Sequence, residues 1–277
     1  MSQQKMTVDL VGADLVGIGA WGPAFNNWPE LQALFANPSI GEDLQWATQV
    51  PKPEIIPANE RRRAPLPVRA AVEVSWQALQ QAGLPSSDVA CVFGSGLGDT
   101  EITDYMCRVL TTAEKQLSPT KFHNSVHNAA AGYWTISTGC MKSANSIAAY
   151  QNTAGLALLE AMIQCQQHSE PVLVTLFDTA AHDAYRQIFA CEHSFAVALL
   201  LVPAGSASSP IARLTLGDEN TAAVVEPQLP STQLAALYRD NPSAKVLGLL
   251  QQLATKQAGQ ASFALSPARV LNLEVSF

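Results

Sequence analysis

The stretch of this chain best placed for chemistry is a short polar turn at residues 150–153, which separates two apolar segments. Residues 145–150 predict a buried strand, and residues 154–165 predict a helix that is buried nearly all round. A strand that turns straight into a buried helix is the geometry of a nucleophile elbow, whose tip carries Ser or Cys. Here the tip is Gln151, and a neutral amide cannot act as the nucleophile that forms an acyl-enzyme. The sequence therefore predicts the framework of a nucleophilic site without its nucleophile.

Two further groups of polar residues have spacings that invite a catalytic or metal-binding interpretation. His123 and His127 are four residues apart and could share a helix face around a metal ion, but no third ligand has a fitting spacing. We therefore expect hydrogen-bonding or interface roles for them and predict no metal site. Asp178, His182 and Asp183 suggest a triad, yet no serine occupies an elbow. Polar surface positions are the favoured interpretation of these three residues.

Two loop motifs can be interpreted either as functional sites or as ordinary structural loops. Gly94, Gly96 and Gly98 follow a predicted strand, but their spacing lacks the dinucleotide fingerprint, which favours a strand-end turn over a phosphate site. The basic run 61–63 is either a dock for an acidic carrier protein or a solvated loop. The solvated loop is favoured.

The composition excludes several classes of protein. The 277 residues carry a net charge of −7, which argues against a nucleic-acid footprint. Apolar residues make up 48% and charged residues 14%, so either the helices are buried on several sides or a large face meets another subunit. We expect no signal peptide, no apolar run long enough for a membrane span and no cofactor. The five cysteines have no metal-like spacing and favour a reduced, cytoplasmic chain: Cys91, Cys107, Cys140, Cys165 and Cys191.

Strands and helices alternate along most of the chain. Helices are predicted at 28–35, 67–83, 99–110, 126–137, 154–165 and 244–256, and strands at 8–18, 89–93, 145–150, 172–177, 195–202, 211–216 and 269–275. The strands at 195–202 and 211–216 are predicted to pair as an antiparallel hairpin. This order indicates an α/β layered fold with a mixed, mostly parallel sheet.

Five motifs occur in an order and spacing that together point to one family. They are the opening strand and turn at 17–23, the Arg-rich approach and long helix at 63–83, the glycine loop at 94–98, the segment 118–132, and Ser-Ile-Ala-Ala-Tyr-Gln at 146–151. Over residues 7 to about 203 the chain resembles the β-ketoacyl-acyl carrier protein synthases of the thiolase fold. Residues 146–151 align on that family's Ser-Ile-Ala-Thr-Ala-Cys, which puts Gln151 at the nucleophilic cysteine.

The departures from the family concern its catalytic groups. The resemblance implies two histidines, or a histidine and an asparagine, in the second half, whereas all five histidines here precede residue 194. The family's His-Gly-Thr-Gly-Thr motif and its late glycine-rich loop are missing. Residues 7–203 are thus expected to form a complete synthase-like first half, with 204–277 as a shortened segment that completes the same domain. No catalytic residue is predicted, and the chain is expected to be inactive alone.

Glutamine at the nucleophile position occurs in two kinds of relative. One is the chain-length factor, an inactive partner of a ketosynthase, and the other is a ketosynthase-like domain that decarboxylates malonyl carriers. Decarboxylation needs histidines to stabilise the enolate, so the chain-length factor is favoured, and segment 122–128 most resembles such factors from aryl polyene pathways. The decarboxylase stays open as the alternative, as does an ordinary helix-start role for Gln151 in an unrelated fold.

The favoured resemblance implies partners and sites. It implies a heterodimer with an active β-ketoacyl synthase, and contact with acyl carrier protein through that complex, in polyketide or fatty-acid-like biosynthesis. Tyr105, Met106 and Phe122 are expected to gate a product tunnel. The interface is expected to be the strand before the elbow: Ala144, Asn145, Ser146, Ile147, Ala148 and Ala149.

Overall fold

The computed structural model describes residues 11–37, 49–217 and 223–277. The start of the predicted first strand, residues 8–10, lies outside these ranges. The helices are α1 (Trp28–Ala36), α2 (Ala58–Arg63), α3 (Leu66–Ala82), α4 (Thr100–Thr111), α5 (Pro119–Asn124), α6 (Ala129–Thr138), α7 (Thr153–His168), α8 (Thr232–Asp240) and α9 (Leu247–Thr255). The strands are β1 (Gly12–Trp21), β2 (Ala90–Gly94), β3 (Ala144–Ile147), β4 (Val172–Asp178), β5 (Phe195–Pro203), β6 (Ala212–Leu216), β7 (Gly259–Ser266) and β8 (Arg269–Ser276).

Within the described ranges the eight strands form one mixed sheet in the order β3-β2-β4-β5-β1-β6-β8-β7. Helices α3 and α6 pack on one face, and α1, α7, α8 and α9 pack on the other. The α/β layered fold is confirmed. The expectation of a mostly parallel sheet is wrong, because β2 is parallel to β3 and β4 whereas the other five neighbouring pairs are antiparallel. Parallel neighbours need a helical crossover, and only the β2–β3–β4 part of the sheet is built that way.

The predicted hairpin between β5 and β6 is also wrong. β5 pairs with β4 on one side and β1 on the other, and β6 pairs with β1 and β8. Nearly every residue of β5 is buried, so this continuous apolar strand requires a neighbour on both sides. The strand that separates β5 from β6 is therefore the first strand of the chain.

Helix α3 lies against β1 at unusually close range. A Cβ atom at Gly17 would come within 2.2 Å of the Ala78 carbonyl oxygen, and one at Gly19 within 2.0 Å of the Val74 carbonyl oxygen. These two glycines let the helix backbone touch the strand.

The same contact supplies acceptors for strand N–H groups. The side-chain oxygen of Gln81 accepts from the Ile18 N–H at 2.8 Å, and that of Gln77 accepts from the Ala20 N–H at 3.1 Å. Four helical residues rise about 6 Å and two strand residues about 6.6 Å, so the two spacings match. Helix α3 therefore completes hydrogen bonding of β1 beyond the point where β6 leaves it.

Several element boundaries differ from the sequence-based expectation. The strand predicted at 145–150 ends at Ile147, and the helix predicted at 126–137 begins at Ala129. The short helices α2 and α5, the helix α8 and the edge strand β7 were not predicted. Helix α3 ends as expected at Gly83, which adopts the left-handed conformation at φ 68°. None of the helices in the described ranges is long and apolar enough to cross a membrane.

Candidate functional site

The turn between β3 and α7 has the sharp geometry of an elbow. A 3₁₀ turn at Tyr150–Asn152 leads directly into α7, and Tyr150 adopts a left-handed conformation with φ 50°. Thr153 fixes the turn, because its hydroxyl accepts from the Ala149 N–H at 2.9 Å and donates to the Tyr150 carbonyl at 2.8 Å. The residue with the strained backbone is thus Tyr150, and Gln151 follows it.

The glycine loop after β2 touches this elbow. A Cβ atom at Gly96 would lie 2.7 Å from both the Tyr150 carbonyl oxygen and a side-chain carbon of Pro242. A Cβ at Gly94 would lie 3.1 Å from the Thr153 side chain. The loop is therefore a strand-end turn whose glycines permit close approach to the elbow, in agreement with the plain interpretation of this motif.

Asp178, at the end of β4, holds the glycine loop in place. Its carboxylate accepts hydrogen bonds from the Ser95 hydroxyl at 2.8 Å, the Leu97 N–H at 2.8 Å and the Ser243 hydroxyl at 2.7 Å. The residue is fully buried, and this burial raises the pKa of its carboxyl group, against the effect of those donors. The expectation that Asp178 is a surface residue is wrong, because its position at the end of a buried strand places it in the core.

The triad interpretation of this region has no geometric support. His182 accepts from the Ala184 N–H at 3.3 Å and lies 3.8 Å from Asp104, while Asp183 pairs with Arg186 at 3.0 Å. The hydroxyl donors to Asp178 are serines rather than an elbow nucleophile. Asp178 therefore has different partners from His182 and Asp183.

A cavity of about 360 Å³ opens beside the elbow. Gln151, Asn152 and Gly155 form one side, and residues 262–264 of β7 form the opposite side. Among the described residues, its lining includes neither cysteine nor histidine, and the hydroxyl of Ser262 is hydrogen-bonded to Asn272 Oδ1 at 2.8 Å. The side-chain oxygen of Gln151 is buried and has no hydrogen-bond partner in the described structure. The cavity has polar groups but offers no thiolate and no imidazole for acyl transfer.

The charged groups around this cavity are mostly engaged with one another. Lys245 donates to the Arg239 carbonyl at 3.2 Å and lies over the Tyr238 ring at 4.5 Å, and burial lowers the pKa of its ammonium group. Burial, together with Glu226, raises the pKa of Tyr238. The guanidinium of Arg239 forms two hydrogen bonds to Asp240, at 2.8 and 2.6 Å. Lys245 and Arg239 are the two cations in the described lining of the cavity, and the Glu226 carboxylate lines it with them.

His123 and His127 have separate surroundings despite their spacing. His127 Nε2 lies 3.1 Å from the Ser95 carbonyl oxygen, a hydrogen bond to the glycine loop. The centres of the His123 and Tyr133 rings lie 6.4 Å apart, and the ring planes are inclined by 60°. In the described ranges no group of three or more His, Cys, Asp or Glu side chains is arranged to hold a metal ion.

Strand β3, the predicted interface segment, is an edge of the sheet. Ala144 to Ile147 pair with β2 on one side, and in the described ranges no strand pairs with the other side. Ala148 is exposed, and Ala149 is half-buried beyond the end of the strand. The Ser146 hydroxyl is buried without a partner among the described residues. This segment therefore presents open backbone hydrogen-bonding groups at the sheet edge.

Exposed large apolar side chains are frequent in the stretch 122–150, which contains β3. Ile136 and Met141 are 83% and 94% exposed, and Phe122, Val126 and Tyr150 are also exposed. Sequence reasoning missed the contribution of α6, whose residues Ala129, Gly132 and Ile136 line a mostly apolar cavity of about 500 Å³ next to α5. Their spacing of three and four residues was the available signal.

The predicted gate residues lie on α4 and α5. The Tyr105 hydroxyl accepts from the Ser118 N–H at 3.0 Å, and Lys121 Nζ lies 3.9 Å from the centre of the Tyr105 ring. Met106 is half-buried and Phe122 is 57% exposed. None of the three lines the cavities described above. Their role as a gate stays a prediction.

The basic run lies on the short helix α2. Arg61 donates to the Pro53 carbonyl at 3.0 Å, and Arg63 lies 3.7 Å from Glu60. Arg62 is exposed. The predicted loop is thus a helical turn, and two of its three arginines have local partners.

The fold of the chain is similar to that of chains in solved structures of ketosynthase complexes. A chain of the ketosynthase ApeO in complex with its chain length factor ApeC, from Xenorhabdus doucetiae, is 19% identical, with a TM-score of 0.69. The match covers 95% of this chain and 98% of that chain. A chain of the AntDE:AntF complex, a type II polyketide synthase acyl-carrier protein with its ketosynthase, is 11% identical, with a TM-score of 0.71 and coverage of 96% and 99%.

A longer synthase shows the difference in length. The β-ketoacyl synthase of Burkholderia phymatum is 13% identical, with a TM-score of 0.60, and the match covers 84% of this chain and 70% of that one. At these identities the likeness shows the fold. A comparison with curated protein sequences finds no match.

One family profile matches the chain itself. It is described as "Beta-ketoacyl synthase, N-terminal domain" and matches residues 36–266. The match extends beyond residue 203, where the resemblance noted in the sequence ends, and includes β6, α8, α9 and all of β7. The chain therefore belongs to the β-ketoacyl synthase N-terminal domain family.

Proposed function

We propose that this chain is the non-catalytic partner of an active β-ketoacyl synthase and acts as a chain-length factor. The observation that carries the proposal is Gln151, which follows the strained elbow residue at the position of the family's nucleophile. An amide cannot accept an acyl group as a thiolate does. The adjoining cavity, as far as the structure describes it, has no cysteine or histidine in its lining.

The edge strand β3 supports a partner at this end of the sheet. An unpaired edge is a site for strand addition by another chain. Five of the eleven exposed large apolar residues in the described ranges lie between residues 122 and 150. Chains of similar fold come from complexes that contain a ketosynthase, one of them with an acyl-carrier protein. We infer that residues 144–149 join the sheet of the partner synthase and that acyl carrier protein meets the pair rather than this chain alone.

The pathway and the gate belong to the same proposal. The resemblance of segment 122–128 favours an aryl polyene-like product, made in the cytoplasm. Tyr105, Met106 and Phe122 are proposed to close the far end of the product tunnel, because added methylenes are costly at a packed boundary.

The experiment is product synthesis by the reconstituted pair. A candidate partner synthase that keeps the nucleophilic cysteine is combined with this chain, carrier protein and malonyl substrate. We expect product from the wild-type pair and from the pair carrying Gln151→Ala, and no product when the partner's nucleophilic cysteine is replaced. Loss of product with Gln151→Ala, at unchanged complex formation, would contradict a non-catalytic role.

A second candidate is a malonyl-carrier decarboxylase. It is favoured by the position of Gln151 in a 360 Å³ cavity that also contains Lys245, a cation able to meet a carboxylate. Incubation of the purified chain with malonyl carrier, followed by measurement of carbon dioxide release, separates the two functions. Turnover that is abolished by Gln151→Ala would establish the decarboxylase.

A further inference from the structure

Two buried cysteines converge on one backbone oxygen at the β2–β3 edge of the sheet. The thiols of Cys91, on β2, and Cys140, in the turn between α6 and β3, lie 3.5 and 3.4 Å from the carbonyl oxygen of Val89. The Cys91 N–H donates to the Ser143 carbonyl at 2.8 Å, which holds the turn after Cys140 against β2. Neither cysteine is in a disulfide.

A buried hydrogen-bond donor completes this cluster. The indole Nε1–H of Trp134, a fully buried residue of α6, has no hydrogen-bond partner in the described ranges. It lies close enough to Cys91 to lower the pKa of that thiol, although the total effect on Cys91 is a raised pKa. The Cys91 sulfur is therefore an acceptor within reach of this N–H, which places Trp134 beside the thiol of the pair whose pKa is raised.

The surroundings divide the two sulfurs into a thiolate and a thiol. The pKa of Cys140 is lowered to about 6, chiefly by hydrogen bonding from Cys91 and also by the backbone N–H and the ammonium group of Lys142. Burial and the Asp88 carboxylate act against this lowering. The pKa of Cys91 is raised by Cys140 and by burial. Such a pair has the attacking thiolate and the resolving thiol side by side.

We propose that Cys91 and Cys140 form a redox modification site, in which a peroxide converts the two thiols into a disulfide. The Cys140 thiolate attacks one peroxide oxygen, the O–O bond breaks, and hydroxide leaves to give a sulfenic acid. The Cys91 sulfur then attacks the Cys140 sulfur, the S–O bond breaks, and the proton of Cys91 leaves with the hydroxyl as water. In total two thiols lose two electrons and two protons, and the peroxide is reduced to two waters.

The bond would tie β2 to the turn that leads into β3. This inference rests on the cysteine cluster and is independent of the proposed function. The other buried cysteines offer matched controls, because burial raises the pKa of both Cys165 and Cys191 to about 12. Cys107 is exposed and is replaced by serine throughout, so that its own oxidation does not interfere.

The test uses the full chain carrying Cys107→Ser and hydrogen peroxide as the probe. After oxidation, free thiols are alkylated under denaturing conditions and the digest is analysed by mass spectrometry without reduction. We expect a cross-linked peptide containing Cys91 and Cys140, and the same product in Cys165→Ser and Cys191→Ser. Replacement of Cys140 by serine should slow oxidation of Cys91 by about tenfold or more, since Cys91 then lacks the thiolate that reacts first.

The pH profile adds a second readout that needs no variant. The rate of cross-linking should rise through about pH 6 and change little up to pH 8. The charged groups that set this profile are Lys142, which pairs with Glu170 at 2.9 Å, and Asp88. If Cys91 and Cys140 both remain fully alkylated after peroxide treatment, or if cross-linking rises only near pH 9, the proposal is wrong.

Discussion

Two regions of the chain differ in how completely their hydrogen-bonding groups find partners within the chain. One is the contact between α3 and β1, and the other is the region around β3. At the first, glycines bring backbones together, and Gln77 and Gln81 accept the strand N–H groups that lack a neighbouring strand. At the second, the edge of β3 is open. Of seven buried side-chain polar atoms without a partner among the described residues, four belong to residues between 124 and 151. The first region is complete within one chain, whereas the second leaves an open strand edge and buried polar atoms without a partner among the described residues.

Replacing a glycine at the contact between α3 and β1 should have the largest effect on stability. In Gly19→Ala the new Cβ would lie 2.0 Å from the Val74 carbonyl oxygen, which is backbone and cannot rotate away. We expect a loss of about 3 kcal/mol or more in the free energy of unfolding, measured by urea titration. Gly132→Ala is the matched control, because its Cβ would meet nothing within 4 Å inside a helix. It should be neutral or stabilising by up to about 1 kcal/mol, and equal losses in both variants would contradict the distinction.

A charged side chain introduced near the β3 edge should weaken the complex with the partner synthase without unfolding the chain. Ile136 is 83% exposed and lies next to the apolar cavity, so Ile136→Asp should weaken binding of the partner synthase by about 30-fold, or about 2 kcal/mol. The thermal midpoint of the isolated chain should hardly change. Binding is measured by isothermal titration or biolayer interferometry.

Ile188→Asp is the control for that prediction. Ile188 is 68% exposed but lies outside the segment 122–150. It should leave the affinity unchanged. If Ile136→Asp and Ile188→Asp bind equally well, the apolar surface around β3 is not the interface.

Removing a side-chain hydrogen-bond acceptor from the contact between α3 and β1 should have an intermediate effect on stability. Gln81→Ala leaves the Ile18 N–H without its acceptor and should cost about 1–2 kcal/mol of unfolding free energy. Gln80→Ala is matched in composition and helix, and Gln80 is exposed, so its cost should stay within about 0.5 kcal/mol. The difference in urea midpoint between the two variants measures the hydrogen bond.

The smallest energetic effect is expected at the predicted gate. Phe122→Ala removes an exposed ring and should leave the stability of the chain and the complex nearly unchanged. It should nevertheless shift the products of the reconstituted pair toward longer chains, as should Tyr105→Ala. Product length is measured by mass spectrometry, with Leu110→Ala, at an exposed position on α4, as the control. An unchanged length distribution in both gate variants would place the gate elsewhere.

The elbow and the glycine loop could be predicted from the sequence because their signals are local. A short apolar strand, a polar turn and an apolar helix at 145–165 specify the turn, and Gly94 to Gly98 mark the end of β2. The sheet order could not be predicted, since β1 pairs with β5 and β6 some 180 to 200 residues away. Long-range pairing of this kind leaves no mark in local periodicity.

The missed elements have a similar cause. Helices α2 and α5 have six residues each, too short for a helical stripe. Asp178 looked like a surface residue because its donors come from residues 95–97 and 243, far away in sequence. The buried thiol pair was hidden for the same reason, because Cys91 and Cys140 become neighbours only when β2 and β3 pair.

The central claim is that this chain functions as one half of a pair, and the mass of the native assembly tests it most directly. The chain is co-expressed with a candidate β-ketoacyl synthase that keeps its nucleophilic cysteine, purified through a tag on the synthase, and passed through size-exclusion chromatography with light scattering. The account predicts one species whose mass equals one copy of each chain, stable on dilution and disrupted by Ile136→Asp. A well-behaved monomer of the 29.5 kDa chain, with no binding to the synthase, would contradict it.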